Sequence, residues 1–214
     1  MYPFLSKALI GLDIQPHAMR LIQLRQSGRR FLAINMAEWK WAEPVFAAGK
    51  TNDFFVIQAV LSEWVNTMEQ QGALAAIHIP IKLVRVHTIQ LPIGVSHLEI
   101  EMEIHLQMER DIPGMHHSLA IDYRVKKANV SGYCDIHYVA TREDYIKEYV
   151  QCMNATGLSV KIVDVDEYAL KRLDKRDPFP LIRFRDGLLQ QAKAYHLPDF
   201  LLAISLAMRE APRW

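Results

Sequence analysis

Cysteine is scarce: Cys134 and Cys152 are the only two in 214 residues. They follow no metal-ligand spacing, and so low a count argues against a disulfide-stapled secreted fold and for two part-buried thiols in a reducing compartment. No uninterrupted apolar run approaches the ~18 residues that cross a bilayer, so no membrane-spanning helix is expected. The opening MYPFLSKALI has no charged stretch leading into an apolar one with a small-residue cleavage site, so no secretory leader is expected and a cytoplasmic location follows. Neither sign of charge prevails, with 25 Lys and Arg against 24 Asp and Glu. Without an overall positive field, nucleic acid is not an expected partner, and contact with an anionic membrane would need a local patch. No period of 20 to 50 residues repeats, which removes solenoids from consideration. No Ser/His/Asp or Cys/His catalytic arrangement can be picked out from spacing.

What the chain does have is core material, since half of its residues are hydrophobic, enough for one large domain or two small ones. Ala8 to Ile14, Ala18 to Arg25 and Phe31 to Trp39 read as strands of an antiparallel meander, the last two joined by the turn Gln26-Ser27-Gly28-Arg29. Thr51, Asn52 and Asp53 are good N-caps, and Ile57, Val60, Leu61, Trp64 and Met68 then recur at helical spacing until Gly72. Ala75 to Pro80 and Val84 to Leu91 are short, apolar and closed by prolines, as strands returning to the first sheet would be.

Leu98 to Met108 carries two contradictory signals. Leu98, Ile100, Met102, Ile104, Leu106 and Met108 alternate with Glu, His and Gln, which is the pattern of a half-buried strand. The composition is that of a helix, with Ser96 placed as N-cap, Glu99 as its capping-box partner and Pro113 as a stop. Pattern and composition leave both readings open. Ser118 to Val125 and Tyr133 to Ala140 read as a hairpin turning through Asn129 to Gly132, Thr141-Arg142-Glu143-Asp144 as a capping box, and Tyr145 to Met153 as a helix closed by Gly157. A strand over Leu158 to Val163 and a short helix over Val165 to Leu173 follow. Phe200 to Met208 is apolar nearly all round and is expected to be buried.

Three side-chain groups invite functional readings. His97, Glu101 and His105 fall at i, i+4 and i+8, one helix face with metal-ligand chemistry, and His116 and His117 follow. No motif supplies a general base or an open coordination position, so a solvated face is the reading adopted and no metal is expected. Asp164, Asp166 and Glu167 suit capping and solvation at a strand-to-helix junction. Arg25, Arg29 and Arg30, and Lys171, Arg172, Lys175 and Arg176, could meet acidic lipid headgroups. Interspersed acids favour a solvated surface instead.

The blocks IGLDIQPHAMRLIQL, IHIPIKLVRVHTIQLP, MERDIP, HYVATREDYI and ATGLSVKIVDVDEYALKRL run in register over residues 8 to 173. Together they resemble the PilM family, the actin-like cytoplasmic proteins of type IV pilus assembly. The resemblance decides the ambiguous segment in favour of helix. It implies an α/β (α+β) fold: the first lobe of the actin-like, ribonuclease-H-like fold over 1–93 plus about 158–214, with a small α+β subdomain inserted over 94–157. FLLAISLAMRE is similar to the family's final helix, which returns to the first lobe, but residues 174–214 are too few for the second lobe, which would be largely missing.

In the resemblance, GLDIQPHAMR is the first phosphate hairpin, with Asp13 placed to hold a metal-bound water and Arg20 at the basic position. Gln15 stands where the family has Gly, and Pro16 removes a further N–H from a turn whose donors must approach phosphate. The expectation is a degenerate phosphate loop at Asp13, Gln15 and Arg20, with no cofactor, ATP and magnesium included, and no hydrolysis. The alternative is an actin-like ATPase completed by a second chain or by oligomerisation. The family further implies an adaptor that takes the N-terminal cytoplasmic peptide of a PilN-like inner-membrane protein into a groove. Expected walls are Ile79, Pro80, Val84, Val86 and Ile89 with Leu106, Glu109 and Arg110. Assembly into a homo-oligomer or ring, and contact with the inner membrane through partners alone, complete what the resemblance implies.

Overall fold

The computed structural model of the protein describes residues 8–45, 53–111, 118–126, 132–173 and 177–209. The expected caps Thr51 and Asn52, the stop Pro113, His116 and His117, Asn129, and Lys175 and Arg176 lie outside them. The chain divides into two compact units, one of residues 1–80 and 151–214 and one of Ile81–Val150.

The first unit is built on a six-stranded sheet. The meander is β1 (Leu9–Gln15), β2 (Ala18–Ser27) and β3 (Arg30–Lys40), followed by helix α1 (Asp53–Thr67) and β4 (Leu74–Ile79). After the second unit come β8 (Ser159–Val165), α4 (Asp166–Lys171), β9 (Ile182–Phe184), α5 (Leu188–Ala194) and α6 (Leu201–Ala207). The sheet order is β8-β4-β1-β2-β3-β9, with β4 parallel to β1, β8 parallel to β4 and β9 parallel to β3. β2 and β3 share their hairpin at Gly28, whose φ of 61° suits a residue without a Cβ. The mostly apolar runs of β1 and β4, interrupted by Asp13 and Gln15 in the first and His78 in the second, are what a strand covered on both faces requires, and almost every residue in both is buried.

α6 explains the apolar C-terminal run. Six of its seven residues are buried, and it lies on β1, β2 and β4, where Ala203, Ile204 and Ala207 join Ile22, Leu24, Ala33 and Met36 in one cluster. Leu202 and Leu206 join Leu9, Ala76 and Ala169 in a second. The close fit depends on Gly11: a Cβ there would stand 1.9 Å from the Ala203 carbonyl oxygen and 2.6 Å from the Ala207 nitrogen. Burying each Leu or Ile of α6 contributes roughly 1.5–3 kcal/mol. The opposite sheet face, with Ile10, Leu12, Leu21 and Ile77, is equally buried. There Gln23 accepts from Asn35 (2.6 Å) and donates to Gln70 (2.8 Å), so its buried amide is satisfied.

The second unit is a three-stranded antiparallel sheet with a helix on one face. Its order is β5-β7-β6, for β5 (Arg85–Pro92), β6 (Leu119–Val125) and β7 (Tyr133–Arg142). β5 therefore does not return to the first sheet, as its sequence led us to expect. It pairs along its whole length with β7, from Arg85 opposite Ala140 to Pro92 opposite Tyr133, and its alternation fits a half-covered strand as well as the first sheet would. The unit accordingly begins at Ile81 rather than at residue 94, and ends at Val150 rather than at 157.

The contested segment is helix α2 (His97–Asp111). The Ser96 N–H donates to Glu99 Oε2 (2.6 Å) and the Glu99 N–H to Ser96 Oγ (3.3 Å), the reciprocal capping box that the sequence suggests. These bonds hold the Glu99 carboxyl below its ordinary pKa of 4.5. Ile100, Ile104 and Met108 lie four apart and pack on Cys134, Ile136, Tyr138 and Ala140 of β7. The second expected capping box is not made as drawn. The Thr141 hydroxyl donates instead to Leu83 O (2.8 Å), and Asp144 accepts from the Tyr145 N–H (2.8 Å) at the start of helix α3 (Glu143–Asn154).

Candidate functional site

The turn that resembles a phosphate hairpin is closed by its own side chains. β1 and β2 pair down to Gln15 opposite Ala18, leaving Pro16 and His17 as a two-residue tip. Neither has a positive φ, so the tip lacks the left-handed residue with which a phosphate nest turns successive N–H groups inward. Its carbonyls are taken as well, Pro16 O accepting from the Val45 N–H (2.8 Å) and His17 O from the Trp41 N–H (3.0 Å). Asp13 is 3% exposed. Its Oδ1 accepts from Gln15 Nε2 (2.8 Å) and lies 3.1 Å from Nε2 of the buried His78 on β4. Gln15 thus both fills the place of a glycine and occupies the carboxylate beside it. Arg20 faces Asp13 across the ladder yet binds Glu38 (2.8 Å), with Asp199 at 3.4 Å. His196 first, then the charges of Arg20 and its neighbours, hold the Asp199 carboxyl below its ordinary value.

A different site is open. In the second unit a groove of about 490 Å³ lies where the short 3-10 turn Ile81–Leu83, the start of β5, the end of β7 and the first turns of α3 converge. Val84, Met108, Ala140 and Tyr145 give it an apolar lining, and Lys82, Arg85, Arg142, Asp144 and Glu148 bring charges of both signs. The Thr141–Leu83 hydrogen bond ties the turn to β7 and so fixes one wall. Arg142 donates through Nε and Nη2 to the two carboxylate oxygens of Asp144, which holds the rim in place and raises the Arg142 pKa. Burial, with Glu148 as the lesser cause, pushes the Tyr145 phenol above its ordinary value. Beside the groove, β5 pairs with β7 and with no other described strand. Arg85, Val86, His87 and Thr88 are exposed, so the edge offers main-chain donors and acceptors next to an apolar pocket.

The expected groove residues are divided by this geometry. Val84 lines the pocket, whereas Ile79 is buried within β4 of the first unit and Pro80 ends that unit's first segment. Val86 points from the face of β5 opposite to Arg85, and Ile89 packs into the α2 cluster. Leu106, Glu109 and Arg110 are exposed on α2, away from its sheet-facing residue Met108. Lys82, Thr141, Arg142 and Tyr145 were missed as groove residues. Only Thr141 and its neighbours carried a signal, and that signal reads as a helix cap.

Several of the remaining candidates have structural partners. His97 binds the Tyr123 hydroxyl, and among the described residues no three His, Cys, Asp or Glu side chains gather as a metal site needs. Asp164 binds Arg172 (2.5 Å) and Arg209 (3.5 Å), Asp166 accepts from the Glu167 N–H, and Glu167 pairs with Lys171. Arg29, Arg172 and Arg209 line one open pocket of the first unit.

A meander continued by two parallel strands, with a small α+β unit inserted between the last two, is the first lobe of an actin-like fold. The chain belongs to the family of the type IV pilus assembly protein PilM, whose model matches residues 11–176. Its structure is similar to a chain of a PilM-PilN type IV pilus biogenesis complex, at 18% identity and a TM-score of 0.62, covering 81% of this chain and 52% of that one. It is also similar to the cytoplasmic domain of EpsL, an inner membrane component of the type II secretion system of Vibrio cholerae. There the identity is 12% and the TM-score 0.53, with 76% of this chain and 59% of that one covered. The chain thus spans little more than half the length of the solved chains it matches. Among the described residues, no helix is long and apolar enough to cross a membrane.

Proposed function

We propose that this chain is a non-hydrolysing adaptor of a type IV pilus, competence or related secretion complex, binding the N-terminal cytoplasmic segment of a PilN-like inner-membrane protein. The observation that carries the reading is the groove beside the unpaired edge of β5. An extended peptide laid along that edge gains main-chain hydrogen bonds, and its apolar side chains find Val84, Met108 and Tyr145. Membership of the PilM family and the likeness to a chain of a PilM-PilN complex support the choice of partner. The chain would then work in the cytoplasm, at the inner membrane through that partner. The absence of hydrolysis is supported by a turn whose Asp13 is held by Gln15 and His78 and whose Pro16 has no N–H to offer.

The test is calorimetric titration of the purified chain with a peptide copying the partner's N-terminal segment. Binding at micromolar affinity is expected, and Tyr145→Ala should weaken it about tenfold, about 1.4 kcal/mol. Absence of binding sinks the proposal. Thermal shift with ATP and magnesium is expected to be flat, whereas a ligand-dependent rise would favour an ATPase completed by another chain.

A further inference from the structure

α2 carries more apolar surface than its own sheet uses. The alternation that makes its sequence look like a strand separates, at 100° per residue, into two stripes on opposite sides of a helix. Ile100, Ile104 and Met108 form the stripe on β7 and are 4%, 0% and 2% exposed. Leu98, Met102 and Leu106, also four apart, form the other and are 67%, 56% and 46% exposed. A helix that only covered a sheet would be polar there. These three side chains instead make one continuous ridge, the element that interdigitates with a second helix, and methionine at its centre adapts to varied partners.

The flanks state the charge of that partner. Glu99 and Glu103 border the ridge on one side, Glu101 on the other, and Glu109 stands at its end. Arg110 is the helix's one Lys or Arg and is paired with Glu103 (3.7 Å). Glu101 and Glu109 are exposed, leaving an excess of negative charge around an apolar ridge. We propose that the outward face of α2 docks a basic amphipathic helix of a partner protein. A second copy of the same face would set glutamate against glutamate, and an anionic lipid surface would be repelled. The face lies on the side of α2 away from Met108 and the groove, so this second binding site does not rest on the peptide reading.

The probe is a synthetic amphipathic helix with leucines at i, i+4 and i+7 and lysines flanking them, titrated into the full chain, with a glutamate-flanked version as control. The lysine peptide should bind with a dissociation constant of tens of micromolar or tighter, at least tenfold better than the glutamate peptide, and more weakly at high salt. Met102→Glu, at an exposed position, should weaken it at least tenfold while leaving the extended partner peptide unaffected. Tyr145→Ala should do the reverse. Equal binding of both probes, or indifference to Met102→Glu, would overturn the proposal. So would a dimer in sedimentation that Met102→Glu dissolves, because the occupant would then be a second copy.

Discussion

β1 and β5 are short apolar strands of similar length, and the protein treats them in opposite ways. β1 has neighbours on both edges and is buried at six of its seven positions, while β5 has one neighbour among the described strands and is exposed at six of its eight. The same holds for the units they belong to. In the first, the groups that might have done chemistry are engaged with one another: Asp13 with Gln15 and His78, Arg20 with Glu38. In the second, a strand edge, an apolar groove and an outward helical ridge are left without partners inside the unit. A sheet covered on both faces consumes its recognition groups as packing, whereas a sheet covered on one face keeps some for another molecule.

That contrast can be broken most directly at Gly11. Gly11→Ala forces a methyl group against the α6 backbone and should cost about 3 kcal/mol or more in chemical denaturation, a severe case of overpacking. A smaller loss would mean that α6 is less closely seated. The two stripes of α2 come next. Ile104→Ala opens a cavity in the second unit and should cost about 3 kcal/mol, while Leu106→Ala should change stability by about 0.5 kcal/mol or less, as an exposed site does. Similar losses at both would show that the outer ridge is packed after all.

Asp13→Ala leaves the Gln15 amide without its acceptor and removes the carboxylate beside the buried His78, with an expected cost of about 2 kcal/mol in urea denaturation. A neutral or stabilising result would mean that the carboxylate is kept for a ligand and not for the fold. The smallest effect concerns the cap of α2. The Glu99 carboxyl should titrate below 4.5 by NMR, and Ser96→Ala should raise it only slightly, because the larger cause, the bond from the residue 96 backbone N–H, remains. Because its folded pKa is depressed, its contribution to α2 is present above the unfolded value and is lost as pH falls through the folded one.

Much of the architecture is legible in the residues because it rests on local signals. The meander follows from strand periodicity and the Gly28 turn, and burial of α6 from an apolar run with no polar face, whereas Ser96 and Glu99 leave α2 balanced against its strand-like alternation until the family resemblance decides it. The sheet to which β5 belongs was not legible. Its alternation states that one face is covered but not by what, and pairing with β7 joins segments more than forty residues apart. The groove was legible only at Val84, since Met108, Ala140 and Tyr145 meet it from separate elements and share no spacing. Thr141 was misread because a hydroxyl able to cap a helix can equally bind a distant carbonyl, and Leu83 O lies within reach.

The amino-acid order carries the blocks that mark this chain as a PilM-family protein and a β1–β2 turn with Gln15 and Pro16, because family blocks and turn chemistry are local. It also contains the double apolar stripe of α2, though in a form that reads as a strand. Folding alone settles that Asp13 lies against His78, that β5 pairs with one described strand, and that Leu98, Met102 and Leu106 are exposed. Each of these depends on which surfaces come together across long stretches of chain, and periodicity carries no record of the partner against which a face is packed.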